Sequence, residues 1–276
     1  MDPLILILAI PIGVLIGLGA GIVGLTAWPI IVPLLFVIGG TPLHESLLSS
    51  LLVDLSIAVT LTLFYIRHPD SGADIQFGSR LGLVSGVAAM VTVIIAFPLL
   101  EQFSNVFRGG SPLITLALGV VFLVQGIRMR NRPDKMGNSE EKSWNPSLSN
   151  SSKNKLSYIL CVLIGFLTGA IAIGGAMNFV LVLVFLLGYP TFRAVGTAMV
   201  ATTIMLTLTV LSYLILLTFS ISTLPVVLLY ICGGVLSSYL AVTRAQYIPE
   251  MKLRILIGIV VIATAIFAAV QVYLLG

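Results

Sequence analysis

Charge is what this chain has least of. Only 9% of its 276 residues are Asp, Glu, Lys or Arg, 58% are hydrophobic, and mean hydropathy is +1.15. A water-soluble domain carries about 25% charged residues. This chain therefore cannot cover a water-facing surface, and no part of it is large and polar enough to hold a soluble active site. Cysteine is nearly absent. Cys161 and Cys232 both sit in apolar runs, so they read as buried thiols, and no spacing supports a disulfide framework or a zinc site. Histidine is limited to His44 and His68, both near the ends of apolar runs. With no His-Xaa-Xaa-His pattern and no pair of mid-run acids, the chain offers neither a metal site nor the nucleophile and base of an intramembrane enzyme. The pI of about 9.2 does not point to nucleic acid. The basic residues lie at run ends and in one loop, where membrane topology accounts for them.

What is present is a series of apolar runs, at about 3–26, 27–40, 44–66, 77–100, 111–128, 157–175, 176–190, 194–218, 222–243 and 253–275. A helix needs roughly 20 apolar residues to cross a bilayer, so eight of these cross alone. The second and seventh are short, and each follows a glycine-rich break, at 21–29 and 169–175. The opening residues MDPLILILAI have no basic stretch before the apolar one, so they read as a first span and not as a cleaved signal. Residues 129–156 form the one long polar stretch and read as a flexible linker.

Shifted by 148 residues, the sequence overlays itself without a gap from about 17 to 86. Gly17 meets Gly165, Gly21 meets Gly169, Gly40 meets Gly188, Pro42 meets Pro190, Tyr65 meets Tyr213, Gly86 meets Gly234, and Ser49 meets Thr197. The expected fold is an all-α polytopic membrane protein made of two homologous five-segment halves, 1–128 and 157–276, joined by the 129–156 linker. Seven of the fourteen Lys and Arg residues lie in or beside that linker, which is therefore expected to be cytoplasmic. If all ten segments cross, thirteen basic residues fall inside and only Arg108 outside. If the two short segments do not cross, the split is nine against five. Five crossings per half is an odd number, so the halves are inverted relative to each other, with both termini outside.

Paired breaks at matching positions of two halves point to a binding site near the midplane, where unwound backbone N–H groups and helix N-termini suit an anion. The candidates are Gly24, Thr26, Ala27 and Trp28 at the first break, and Gly174, Gly175, Ala176 and Asn178 at the second. The plainer alternative is that these glycines are close-packing contacts. Ser49, Ser50 and Thr197 add hydroxyls on the following spans, although such hydroxyls also satisfy helix backbone silently. Asp54 lies about ten residues from either end of its run, near the bilayer centre. An acid there is costly and marks a functional position by default. Its neutral form is the cheaper one, so it is a candidate to carry a coupling proton, with sodium coordination as the rival and a purely structural hydrogen bond as the third possibility.

These motifs resemble the TauE/SafE family of sulfite exporters and related anion permeases. Each half has a glycine-rich break, a short apolar segment, a Gly-Xaa-Pro corner and a hydroxyl-rich span. The second half matches best, with Gly174-Gly175, Gly188-Tyr-Pro190 and Ala194-Val-Gly-Thr197. The first half departs from the family's Gly-Xaa-Gly-Gly-Gly and Ala-Xaa-Gly-Thr-Ser, showing Gly24-Leu-Thr-Ala-Trp28 and Ser46-Leu-Leu-Ser49-Ser50. The resemblance implies a multi-pass permease of the plasma membrane, without a cofactor, that moves a small sulfur-containing anion such as sulfite or an organosulfonate. The diverged first break leaves another small anion, or uptake in place of export, open. The membrane topology makes a direct prediction. Reporter fusions in the 129–156 linker and at Gly276 give opposite signals, and equal signals would remove the five-plus-five inverted arrangement.

Overall fold

A computed structural model of the chain describes residues 3–68, 71–100, 150–172, 176–189, 191–217 and 223–244, with isolated positions between 102 and 127 and between 255 and 270. Its elements are α1 (Pro3–Val23), α2 (Trp28–Val32, continued by a π-helical turn over Pro33–Ile38), α3 (Leu43–Arg67), α4 (Ile75–Leu100), α5 (Asn150–Ile171), α6 (Ala176–Leu181, continued by a π-helical turn over Val182–Leu186), α7 (Thr191–Leu216) and α8 (Leu224–Thr243). No strand occurs among the described residues. Five helices are long and apolar enough to cross a membrane, and Leu6–Gly21 and Trp28–Ile38 form shorter apolar helices. The expected runs at 111–128 and 253–275, the linker up to 149, and both chain ends lie outside the continuously described residues. α5 begins at Asn150, so helix extends into the stretch read from composition as linker. Its first turns are polar and need no lipid, which is why the apolar run alone placed the start later.

Much of the described surface is apolar, and polar side chains are buried within the mainly apolar interior. Ile7, Ile95, Ile215 and Leu236 are among the most exposed side chains, whereas Ser46, Ser49, Ser50, Asp54, Thr197 and Thr202 are buried. That inversion suits lipid as the outer solvent. It also moves one expectation. Cys161 is buried, but Cys232 is exposed, because an apolar run in a membrane protein has a lipid-facing side as well as a core side.

The helices pack in the order α1, α8, α3, α7, α4, α5, with α2 on α3 and α6 on α7. Close approach is possible because glycines line the crossings. Gly17 lies against the backbone of Gly234, and Gly165 against that of Ser85, each leaving no room for a Cβ. Small residues are the usual device for packing helices in lipid, where no hydrophobic force draws them together. The contacts also set direction. Gly13, Gly17 and Gly21 meet Tyr230, Gly234 and Ala241 in that order, so α1 runs parallel to α8; Gly78 and Gly82 meet Thr197 and Ala201, so α4 runs parallel to α7. At the centre, Tyr65 near the end of α3 meets Gly196 near the start of α7. α3 and α7 are therefore antiparallel.

Local backbone detail recurs 148 residues apart. Gly24 N–H bonds to Ala20 O, as Ala172 N–H does to Thr168 O; Thr41 N–H bonds to Leu35 O, as Tyr189 N–H does to Leu183 O. Gly24 (φ +73°) and Ala172 (φ +56°) both turn left-handed after a long helix, and Gly40 (φ +63°) and Gly188 (φ +69°) do so after the short ones. Ala172 carries a Cβ in that conformation, which costs roughly 1–2 kcal/mol.

The glycine crossings predict that Gly17→Val and Gly165→Val each destabilise the protein by about 1–3 kcal/mol through overpacking. The check is the thermal midpoint of the purified protein in detergent. Unchanged midpoints would show that these helices part without cost.

Candidate functional site

α1 ends at Val23 and α2 starts at Trp28, leaving Gly24, Leu25, Thr26 and Ala27 outside regular helix. In lipid, backbone freed by such a break must find its partners inside the protein. Here the partner is the mid-membrane acid. Asp54 Oδ1 accepts a hydrogen bond from the Ala27 N–H at 2.7 Å. Asp54 is buried, and its second oxygen, Oδ2, has no hydrogen-bond partner among the described residues; neither has the buried Thr202 Oγ1. Both residues line one cavity of about 20 Å³, lined otherwise by Ala20, Leu25, Ile57, Ala58, Ala176 and Met199. Thr202 stands 148 residues after Asp54. The sequence overlay pairs the two, and the antiparallel crossing of α3 and α7 brings them to one chamber.

The first break meets the start of α6 at this place. A Cβ on Gly24 would lie 2.9 Å from the Met177 backbone nitrogen, so the first break touches the first turn of α6. Trp28 is fully buried, Thr26 and Asn178 are half-buried, and Ala176 faces the chamber. Gly174 and Gly175, together with Ile173, lie outside the described residues.

The candidate hydroxyls each make one hydrogen bond to backbone away from Asp54. Ser49 donates to Glu45 O at 2.7 Å and Ser50 to Leu47 O at 2.9 Å, both back onto their own helix. Thr197 Oγ1 accepts from the Asp74 N–H at 2.9 Å. That bond belongs to a cluster at one end of the bundle. Arg193 approaches Asp74 at 3.6 Å and covers the Tyr189 ring at 4.4 Å, and Asp74 Oδ1 caps α4 through the Phe77 N–H at 2.9 Å. At the opposite end of α3, Thr223 donates to the buried Glu45 Oε2 at 3.0 Å. Glu45, near the start of its apolar run, is thus held inside the protein by the residue that precedes α8. Sequence carried no signal for either cluster, since their partners lie far apart in the chain. Among the described residues no group of His, Cys, Asp or Glu is placed to hold a metal ion.

The chain is thus a multi-pass helical membrane protein whose buried Asp54 sits where the first break meets the start of α6. It belongs to the Sulfite exporter TauE/SafE family, whose model matches residues 8–268, nearly the whole chain. Membership places it among membrane transport proteins. Comparisons with curated proteins and with solved structures return no match.

The bond from Ala27 to Asp54 yields a stability prediction. Asp54→Ala leaves a buried backbone N–H without an acceptor, at a cost of about 1–3 kcal/mol. Asp54→Asn keeps an acceptor oxygen and loses less. Thermal midpoints in detergent rank them wild type, Asn, Ala, and an alanine variant as stable as wild type would show that the break does not rely on Asp54.

Proposed function

We propose that this protein is a secondary transporter of a small sulfur-containing anion, sulfite or an organosulfonate, across the cell membrane by alternating access, with an ion coupled at Asp54. The observation that carries this reading is the meeting of the first break with the start of α6 beside a buried acid with a spare oxygen, in a chain that belongs to an exporter family. Family membership supports the substrate class. The diverged first break, Gly24-Leu-Thr-Ala-Trp28, bears on which member of that class is carried.

In this reading the halves 1–128 and 157–276 form an inverted-topology repeat around the site, with the 129–156 linker cytoplasmic and both termini outside. The helix order supports it, because exchanging each helix of one half with its counterpart reverses the row α1, α8, α3, α7, α4, α5 onto itself. The antiparallel crossing of α3 and α7 and the matched left-handed turns support it as well. Two related halves of opposite orientation supply two related conformations, one open to each side. The substrate is held by backbone near Gly24–Trp28 and Gly174–Asn178. The Arg193–Asp74 and Glu45–Thr223 clusters close the two ends in turn.

Counterflow in proteoliposomes with sulfite, sulfate, thiosulfate and short sulfonates tests the reading. At least one of these anions exchanges, and Gly174→Leu or Gly175→Leu abolishes the exchange in a protein that still folds, because a bulky side chain fills the space where backbone meets anion. Normal affinity in both variants would move the site elsewhere, and no exchange by any anion of the panel would overturn the transport reading.

A further inference from the structure

The chamber between Asp54 and Thr202 bears on which ion is coupled and in which direction, an inference that rests on the transport reading above. Asp54 Oδ1 is committed to the Ala27 N–H, so Oδ2 is the free position. It shares the chamber with one other unpartnered oxygen, Thr202 Oγ1. The other lining residues, Ala20, Leu25, Ile57, Ala58, Ala176 and Met199, carry no polar oxygen or nitrogen in their side chains. Of the backbone carbonyls around the first break, Ala20 O takes the Gly24 N–H, Gly19 O takes the Leu25 N–H, and Ala27 O takes those of Ile30 and Ile31. A sodium ion is a hard cation that needs several oxygen ligands, and Asp54 and Thr202 bring the only side-chain oxygens of the lining among the described residues. A volume of about 20 Å³ is room for a single water molecule. We propose that the Asp54–Thr202 chamber binds a proton at Asp54 Oδ2, linked through one water to Thr202, and that this proton travels together with the substrate anion.

The direction of coupling follows from where the acid sits. An ionised Asp54 holds the Ala27 N–H by a charge-assisted bond and sets a negative charge beside the backbone that the substrate approaches. Like charges at one buried site disfavour each other. When a proton adds to Oδ2, the carboxylate becomes a neutral acid, the repulsion ends, and Oδ1 remains as a weaker, uncharged acceptor. Proton and anion therefore favour each other's binding, and by linkage each strengthens the other equally. On release the Oδ2–H bond breaks and the proton passes to water on the far side with the anion, which restores the carboxylate. Exchange of proton for anion would require the anion to enter against the charge. No other ionisable side chain lines the chamber among the described residues. His44, Glu45, Tyr65 and Arg67 on α3 and Arg193 and Tyr213 on α7 all lie outside its walls, and α1, the first break and α6 bring none.

The test uses full-length protein in proteoliposomes with a trapped pH dye. Methanesulfonate and sulfate are the probes, with thiosulfate as a third; all stay fully ionised across the working range, so any pH dependence belongs to the protein. The expected result is an anion affinity that tightens about tenfold per pH unit of acidification above the midpoint, as one linked proton requires. Proton movement runs in the same direction as the anion, and a sodium gradient has no effect. Asp54→Asn still exchanges anion, with flat pH dependence and no proton movement. Thr202→Val still exchanges anion but displaces the midpoint of the pH profile, and Thr202→Ser restores it; should the Asn variant fail to fold, this pair carries the test. Proton movement opposite to the anion, drive by sodium, a pH response that survives in Asp54→Asn, or a profile unmoved in Thr202→Val would each overturn the proposal. Exchange without any pH dependence would overturn it and leave the transport reading standing. No exchange by any anion of the sulfite, sulfate, thiosulfate and sulfonate panel would overturn both.

Discussion

A helix broken inside a membrane leaves backbone groups that only the protein can satisfy, and this chain meets that demand at one point with Asp54. The bond from the Ala27 N–H to Asp54 Oδ1 ties the first break to the middle of α3, the most buried of the long helices. Asp54 is costly in lipid by itself, and the N–H of Ala27 is costly by itself; together each removes part of the other's penalty. The arrangement still leaves Oδ2 over. A framework that needed only structural repair would be served by an amide or a hydroxyl, so the spare oxygen is the feature that asks for a functional account.

That bond is possible only because the helices around it come close. Gly17 against Gly234 and Gly165 against Ser85 bring α1 onto α8 and α5 onto α4 at backbone distance. α3 and α7 are left at the centre of the row, each with a short helix laid on it. The contacts at the two ends of this central pair differ in chemistry. One end carries Arg193, Asp74 and Tyr189, the other the hydrogen bond from Thr223 to Glu45. An ion pair and a neutral-donor bond respond differently to salt, so the two ends of the bundle are not interchangeable even where their backbones correspond.

Much of the architecture was legible in residue order. Scarce charge and long apolar runs dictate a helical membrane protein, since lipid admits no unpaired backbone. Glycines at four-residue spacing suit helix crossings, but the left-handed turns at Gly24, Gly40 and Gly188 were not legible, because a helical glycine such as Gly17 is the same letter in the sequence. Ala172 was not legible, as nothing about an alanine announces a positive φ; only its place 148 residues after Gly24 points to it. The exposure of Cys232 was equally hidden, because an apolar run does not say which of its sides faces lipid.

The composition of the site was partly legible and its geometry was not. Asp54 stands out in the sequence as one acid in an apolar run, and the overlay pairs it with Thr202, yet the two seem unrelated in chemistry until α3 and α7 cross antiparallel and set them in one chamber. Ser49 and Thr197, paired by the same overlay, end on different partners, since a hydroxyl takes whichever acceptor or donor its rotamer reaches first. Sequence by itself determined the solvent and the five long helices, which follow from local composition and spacing. Tertiary structure alone decided which atoms Asp54 spends and which it keeps, because hydrogen-bond partners 27 and 148 residues away are chosen by packing and not by order along the chain.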